Sequence, residues 1–163
     1  MLNLKRILME CAAAAMLAVT APGFASAASR VADFPNRHND TDFKLAWKTT
    51  NNADNLVVSG LYKNIHYTYM DDVEVRVALH NQQDKVLAYS ADAPTPQLMD
   101  SDTVRPFKVT LKNVTPAPGD TLEFMVRYRV VEGGTDNYNW LTTFTADAVT
   151  GTPIEPKPKP AEW

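Results

Sequence analysis

The sequence predicts an all-β protein, a single antiparallel β-sandwich of about seven strands. Three observations carry this. The stretch Thr121–Val131 alternates Leu122, Phe124, Val126, Tyr128 and Val130 with Glu123, Arg127 and Arg129. A period of two places one set in a core and the other in water. Segments of this kind recur roughly every ten residues with turn residues between them, the spacing of an antiparallel sandwich. No stretch of the folded part carries a helical period.

In chain order, residues 28–41 have no period, and Pro35, Asn36, Asn39 and Asp40 read as a loose N-terminal arm. The sandwich is expected over 42–150. Phe43, Leu45 and Trp47 alternate with Lys44, Ala46 and Lys48 as a first strand, and Thr50–Asn55 reads as a turn. Leu56–Tyr62 is a second strand. Gly60 inside it weakens the strand unless a bulge or a close backbone approach requires it. Asp72–His80 sets Val73, Val75, Val77 and Leu79 against Asp72, Glu74, Arg76, Ala78 and His80. Lys85–Ser90 is a short strand, and Pro94 and Pro96 lie in a long polar loop. Val104–Val114 alternates through Phe107, Val109 and Leu111. Pro118-Gly119-Asp120 turns the chain into Thr121–Val131, and Gly133-Gly134 turns it out again. Tyr138–Ala148 closes the sandwich with Trp140, Thr142, Phe144 and Ala146 on one side, which casts Trp140 as a core residue. In the tail, 151–163, alternate prolines remove backbone donors, so an unpaired, extended spacer is expected.

The N-terminus reads differently. Lys5 and Arg6 precede an apolar run from Ile7 to Ala21, followed by Ala25-Ser26-Ala27. This order is that of a cleaved secretory signal peptide, residues 1–27. It implies export to the periplasm or cell surface, with no membrane insertion after cleavage. Cys11 is the only cysteine and falls inside this segment, so the mature chain has no disulfide and no thiol chemistry. Removing Lys5, Arg6 and Glu10 leaves 14 basic and 18 acidic side chains, net −4. That balance lacks the basic footprint of nucleic-acid or anionic-membrane binding.

Three pieces in order resemble a known family. They are Val58-Ser-Gly-Leu-Tyr-Lys-Asn64, Val73-Glu-Val-Arg-Val-Ala-Leu-His-Asn81 followed by Lys85-Val-Leu87, and Arg105-Pro-Phe-Lys-Val-Thr-Leu111. Their order resembles the FxLYD-type domains, immunoglobulin-like modules of exported prokaryotic proteins, over about residues 56–131. Val77, Leu79, His80 and Asn81 stand where the naming motif has Phe, Leu, Tyr and Asp. The resemblance implies an immunoglobulin-like fold in an exported protein and carries no catalytic residues. Pro118–Leu122 also resembles the turn before the sixth strand of fibronectin-type domains, with Leu122 in the place of the usual corner tyrosine.

No nucleophile elbow, phosphate loop or zinc-protease motif occurs, and no serine pairs with a histidine in a motif, so the expectation is a protein that is not an enzyme and has no cofactor. His38, His66 and His80, with Met70 nearby, suggest soft-metal ligands. A strand of seven or eight residues, about 25 Å long, separates His66 from His80, so three separate surface histidines and no metal are expected. Asp71-Asp72 and Asp100-Ser101-Asp102 lack calcium-loop spacing and read as solvated turn carboxylates.

Two candidate surfaces remain. Glu74, Arg76 and His80 should share a wet face with Glu123, Arg127 and Arg129 across neighbouring strands. There they form either cross-strand ion pairs or an arginine-rich docking face for an envelope protein or an acidic surface polymer. Tyr67 and Tyr69 are candidates for an exposed aromatic platform that stacks sugars. The leading expectation is a non-enzymatic, protein-binding or structural accessory of the bacterial envelope. The alternative is a small carbohydrate-binding module.

Overall fold

The computed structural model describes residues 31–132 and 137–155. The signal peptide expected at 1–27 lies outside the described residues, as does the tail beyond Glu155. Nine strands follow one another: β1 (Asn36–Asn39), β2 (Phe43–Asn52), β3 (Asn55–Asn64), β4 (Tyr69–His80), β5 (Val86–Asp92), β6 (Val104–Lys112), β7 (Thr121–Val131), β8 (Asn137–Asp147) and β9 (Pro153–Ile154). They form two antiparallel sheets, β1-β2-β3-β6 and β5-β4-β7-β8-β9, packed face to face as an immunoglobulin-like sandwich. The seven expected strands are β2 to β8. The chain crosses between sheets from β3 to β4, from β5 to β6 and from β6 to β7.

The faces follow the alternation. Val73, Val75, Val77 and Leu79 of β4 and Leu122, Phe124, Val126, Tyr128 and Val130 of β7 are buried. Val75 lies directly opposite Val126, and Val77 opposite Phe124. From the other sheet Phe43, Leu45, Trp47, Val58, Tyr62, Phe107, Val109 and Leu111 fill the same core. Trp47, Phe124 and Phe144 form an aromatic centre with centroids 4.7–5.6 Å apart. Gly60 is required by close approach. A Cβ there would meet the Ala46 carbonyl oxygen at 2.2 Å and the Phe107 ring at 2.7 Å. The Phe107 ring fills the space that the missing side chain leaves, on the residue directly opposite.

Three elements depart from expectation. The arm at 28–41 contains β1, which pairs along β2 from Asn36↔Trp47 to Asn39↔Lys44. Polar residues hold it. Asn36 is buried and its amide donates to the Thr150 carbonyl at 3.2 Å. His38 lies flat on Phe144, 3.8 Å between centroids. The expected turn at Thr50–Asn55 shrinks to Ala53-Asp54, because β2 and β3 stay paired out to Asn52↔Asn55. Ala53 takes the left-handed backbone that so tight a turn needs (φ 51°). The tail also pairs: β9 joins β8 at Thr145↔Ile154 and Ala146↔Pro153. Proline is tolerated there because β9 is an edge strand, and the N–H it lacks faces away from β8.

His38 makes a pH prediction. Burial against Phe144 lowers its pKa, with Asp40 opposing. The unfolded chain therefore takes up a proton that the folded chain resists. Stability is full above the unfolded value near 6.5 and falls as pH drops toward the lower folded value. His38→Phe should keep the stacking and remove this slope. Urea midpoints measured between pH 7.5 and 5 check it, and a slope unchanged in the variant contradicts it.

Candidate functional site

One end of the sandwich is more elaborate than the other. Asn64, the last residue of β3, is fully buried there and organises the loops around it. Its amide nitrogen donates to the Thr68 and Met99 carbonyls, each at 3.0 Å. Its side-chain oxygen accepts from the His66 N–H at 2.8 Å. The Asp42 carbonyl accepts from the N–H groups of Ile65 and His66. The β1–β2 loop (Asp40, Thr41, Asp42) and the β3–β4 loop are thereby locked together.

Between these loops and the start of β8 lies a cleft of about 580 Å³. It is lined by Tyr128 and Val130 of β7, by Asp40, Asp42 and His66 from the two loops, by Tyr138, Trp140 and Thr142 of β8, and by Glu132. The Tyr128 hydroxyl donates to Asp42 Oδ2 at 2.8 Å. Burial and the Asp42 charge push its pKa up, so it stays protonated as a donor. The Thr68 N–H points at His66 Nδ1, 3.3 Å away. The Thr68 hydroxyl lies 3.1 Å from the same nitrogen, and His66 Nε2 faces Asp42 Oδ1 at 4.0 Å. Asp40 accepts from the N–H and hydroxyl of Thr41. The Tyr67 hydroxyl donates to Glu132, and this bond raises the phenol pKa. Among the described residues no lysine or arginine pairs with Asp40, Asp42 or Glu132. In the same cleft, Tyr138 is 52% exposed and Trp140 51% exposed.

Trp140 thus corrects an expectation. Its parity is that of Phe144 and Ala146, and it sits opposite Tyr128 in the register. Yet among the described residues the indole is only half covered.

The two expected surfaces are placed as follows. β4 and β7 are antiparallel neighbours, with Glu74 opposite Arg127. The charges there are matched within the sheet. Glu74 contacts Arg76 at 3.4 Å and Arg127 at 3.3 Å. Arg129 contacts Asp71 at 2.6 Å and Asp72 at 3.1 Å. His80 lies between Asp84 and Glu123. An excess of arginine was expected from Glu74 and Glu123 alone. A bulge in β4, with Asp72 at φ 51°, adds two more carboxylates and removes that excess. Asp71 and Asp72 are therefore ion-paired within a strand bulge, and Asp102, solvated in its turn as expected, meets Lys63 at 2.7 Å. Tyr67 is 75% exposed and Tyr69 50% exposed. Tyr67 stacks on His66 at 4.4 Å.

The three histidines are not surface residues as expected. His38 is half-buried on Phe144, and the side chains of His66 and His80 are each 14% exposed. Each has its own partners. Among the described residues no group of three or more His, Cys, Asp or Glu could hold a metal ion.

No family model matches the chain, and no curated protein does. Among solved structures it is similar to the GAE domain of GGA2p from Saccharomyces cerevisiae, at 10% identity over 70% of this chain and 98% of that one, TM-score 0.46. A yeast GGA1 GAE domain is similar at 10% identity over 66% and 96%, TM-score 0.41. A β-glucuronidase from glycoside hydrolase family 2 is similar at 10% identity over 60% of this chain and 11% of that chain, TM-score 0.36.

Proposed function

We propose that this protein is an exported, non-enzymatic binding module that engages a protein partner in the bacterial envelope through the cleft end of its sandwich. One observation carries the reading. At that end, half-exposed aromatic rings line one cleft with carboxylates that no lysine or arginine among the described residues pairs with. The β4–β7 face has the opposite character, since its charges already satisfy one another, and exposed pairs of that kind contribute only ~0–1 kcal/mol. Exposed aromatics anchored in a rigid frame are typical of binding hot spots. The export signal at residues 1–27 and the resemblance to FxLYD-type modules support an envelope location.

A second reading, a sugar platform, is favoured by the exposure of Tyr67 and Tyr69. Stacking on neutral sugar is insensitive to salt, whereas a carboxylate-lined site weakens as salt shortens the screening length from ~10 Å at 0.1 M to ~3 Å at 1 M. The test uses mature protein from the native host, whose intact mass should start at Ala28. Retention of an envelope protein on it should fall in high salt and fall at least tenfold in Asp40→Asn/Glu132→Gln. Arg127→Glu/Arg129→Glu should retain it. Salt-independent glycan binding, lost only in Tyr67→Ala/Tyr69→Ala, would favour the sugar platform.

A further inference from the structure

The cleft borders an open sheet edge. β8 pairs with β7 along its whole length, from Thr121↔Asp147 to Val131↔Asn137. On its other side it pairs with β9 only at Thr145 and Ala146. From residue 137 to Phe144, no described strand covers that edge. The Asp147 N–H donates outward to the Thr152 carbonyl at 2.8 Å. Backbone groups alternate along a strand, so the N–H and C=O of Thr143, Leu141 and Asn139 face the same open side. The cleft reaches across this edge, because it is lined both by Leu141 on the outer face and by Trp140 and Thr142 on the inner one. Leu141 is 60% exposed.

We propose that an extended segment of a partner protein, with lysine or arginine at alternate positions, adds to the β8 edge beside Asn139–Thr143. This rests on the binding-module reading above and names the chemistry of the partner. Main-chain hydrogen bonds to Asn139, Leu141 and Thr143 supply affinity without sequence choice, the usual mode of strand addition. Alternation then sets the side chains. One set falls toward the cleft, where an aliphatic stem lies along the Trp140 and Tyr138 rings and the charged head reaches Asp40, Asp42 or Glu132. The other set falls beside Leu141 on the outer face and is apolar. A small quaternary ammonium fits less well, because both exposed rings come from β8 and the cavity is far larger than such a head group. An acidic polymer is opposed by the three carboxylates.

The experiment is an NMR titration of the mature protein with a capped peptide, Thr-Lys-Val-Lys-Val-Lys-Thr. Its controls are the same peptide with glutamate for lysine, and choline chloride. The lysine peptide should shift the amides of residues 138–143 and slow hydrogen exchange at Asn139, Leu141 and Thr143. Its affinity should fall at least tenfold in Asp40→Asn/Glu132→Gln and fall with salt in the unaltered protein, a readout that survives if the variant folds poorly. The glutamate peptide should bind at least tenfold more weakly. Equal binding of the two peptides overturns the proposal. So do shifts centred on Arg76 and Arg127, or choline saturating the same shifts with no slowed exchange. Binding seen only in a chain shortened after Glu155 would assign the edge to the chain's own tail and also overturn it. If the native partner still requires the cleft while the two peptides bind alike, the binding-module reading stands and only the basic-strand inference fails.

Discussion

Val126→Asp should abolish cooperative folding, and Val75→Asp should do the same. The two valines face each other across β4 and β7, and both are fully buried between the sheets. An aspartate at either position buries a carboxylate with no cation and no donor in reach. A group so placed either ionises at a cost of many kcal/mol or protonates and still lacks hydrogen bonds. That cost rivals the ~5–15 kcal/mol total stability of a domain this size. The neighbour one residue away is the control. Arg127 is 60% exposed at its side chain and makes a single 3.3 Å contact with Glu74, so Arg127→Ala should change stability by no more than ~1 kcal/mol. Urea denaturation followed by far-UV circular dichroism separates these cases. A folded Val126→Asp protein beside an unfolded Arg127→Ala protein would mean that the strand faces are reversed.

The second large effect is expected at Asn64, through hydrogen bonds instead of packing. Asn64→Leu conserves approximate volume but removes both donors and the acceptor. The Thr68 carbonyl then loses its partner, while the Met99 carbonyl keeps only the Met70 N–H and the His66 N–H keeps only the Asp42 carbonyl. A group left unpaired costs ~1–3 kcal/mol and each further bond lost ~0.5–1.5 kcal/mol, so a loss of about 2–4 kcal/mol is expected. Asn64→Asp is the sharper variant. It keeps the acceptor for His66 but sets a carboxylate oxygen against two carbonyl oxygens, so it should be no better than leucine. Both variants should also release the β3–β4 loop and with it the Tyr67 contact to Glu132. Chemical denaturation measures the stability, and trypsin cleavage after Lys63 reports the loop. An Asn64→Asp protein as stable as the parent would contradict this role.

The two residues differ in how visible they were in the sequence. Val126 belongs to a strict alternation, and burial of one sheet face obliges that pattern. Asn64 is one asparagine at the end of a predicted strand, and nothing local separates a buried organiser from an ordinary turn residue. β1 was illegible for a related reason. Its four residues, Asn-Arg-His-Asn, contain no aliphatic side chain, and the imidazole of His38 takes the place of an apolar group against Phe144. Trp140 shows where periodicity stops informing. Parity assigns it correctly to the inward face, but burial depends on how far the opposing sheet extends, which no local pattern encodes. The cleft draws on Asp40 and Asp42, His66, Tyr128, and Tyr138 and Trp140, segments up to about a hundred residues apart that only the fold unites. The arginine face was legible as a pairing of strands. Its charge balance was not, because the β4 bulge that turns Asp71 and Asp72 toward Arg129 has no sequence signature.

The central claim is that the partner is held at the cleft end of the sandwich and not on the β4–β7 face. Site-specific photo-crosslinking in the native envelope tests this most directly. A photo-reactive phenylalanine analogue replaces Tyr138 or Leu141 in one pair of strains, and in another it replaces Arg76 or Tyr89, the β5 ring under the Arg76 guanidinium. Positions 138 and 141 should each give one discrete protein adduct, sensitive to salt during irradiation, and 76 and 89 none. An adduct from 76 or 89 with none from 138 and 141 would contradict the claim.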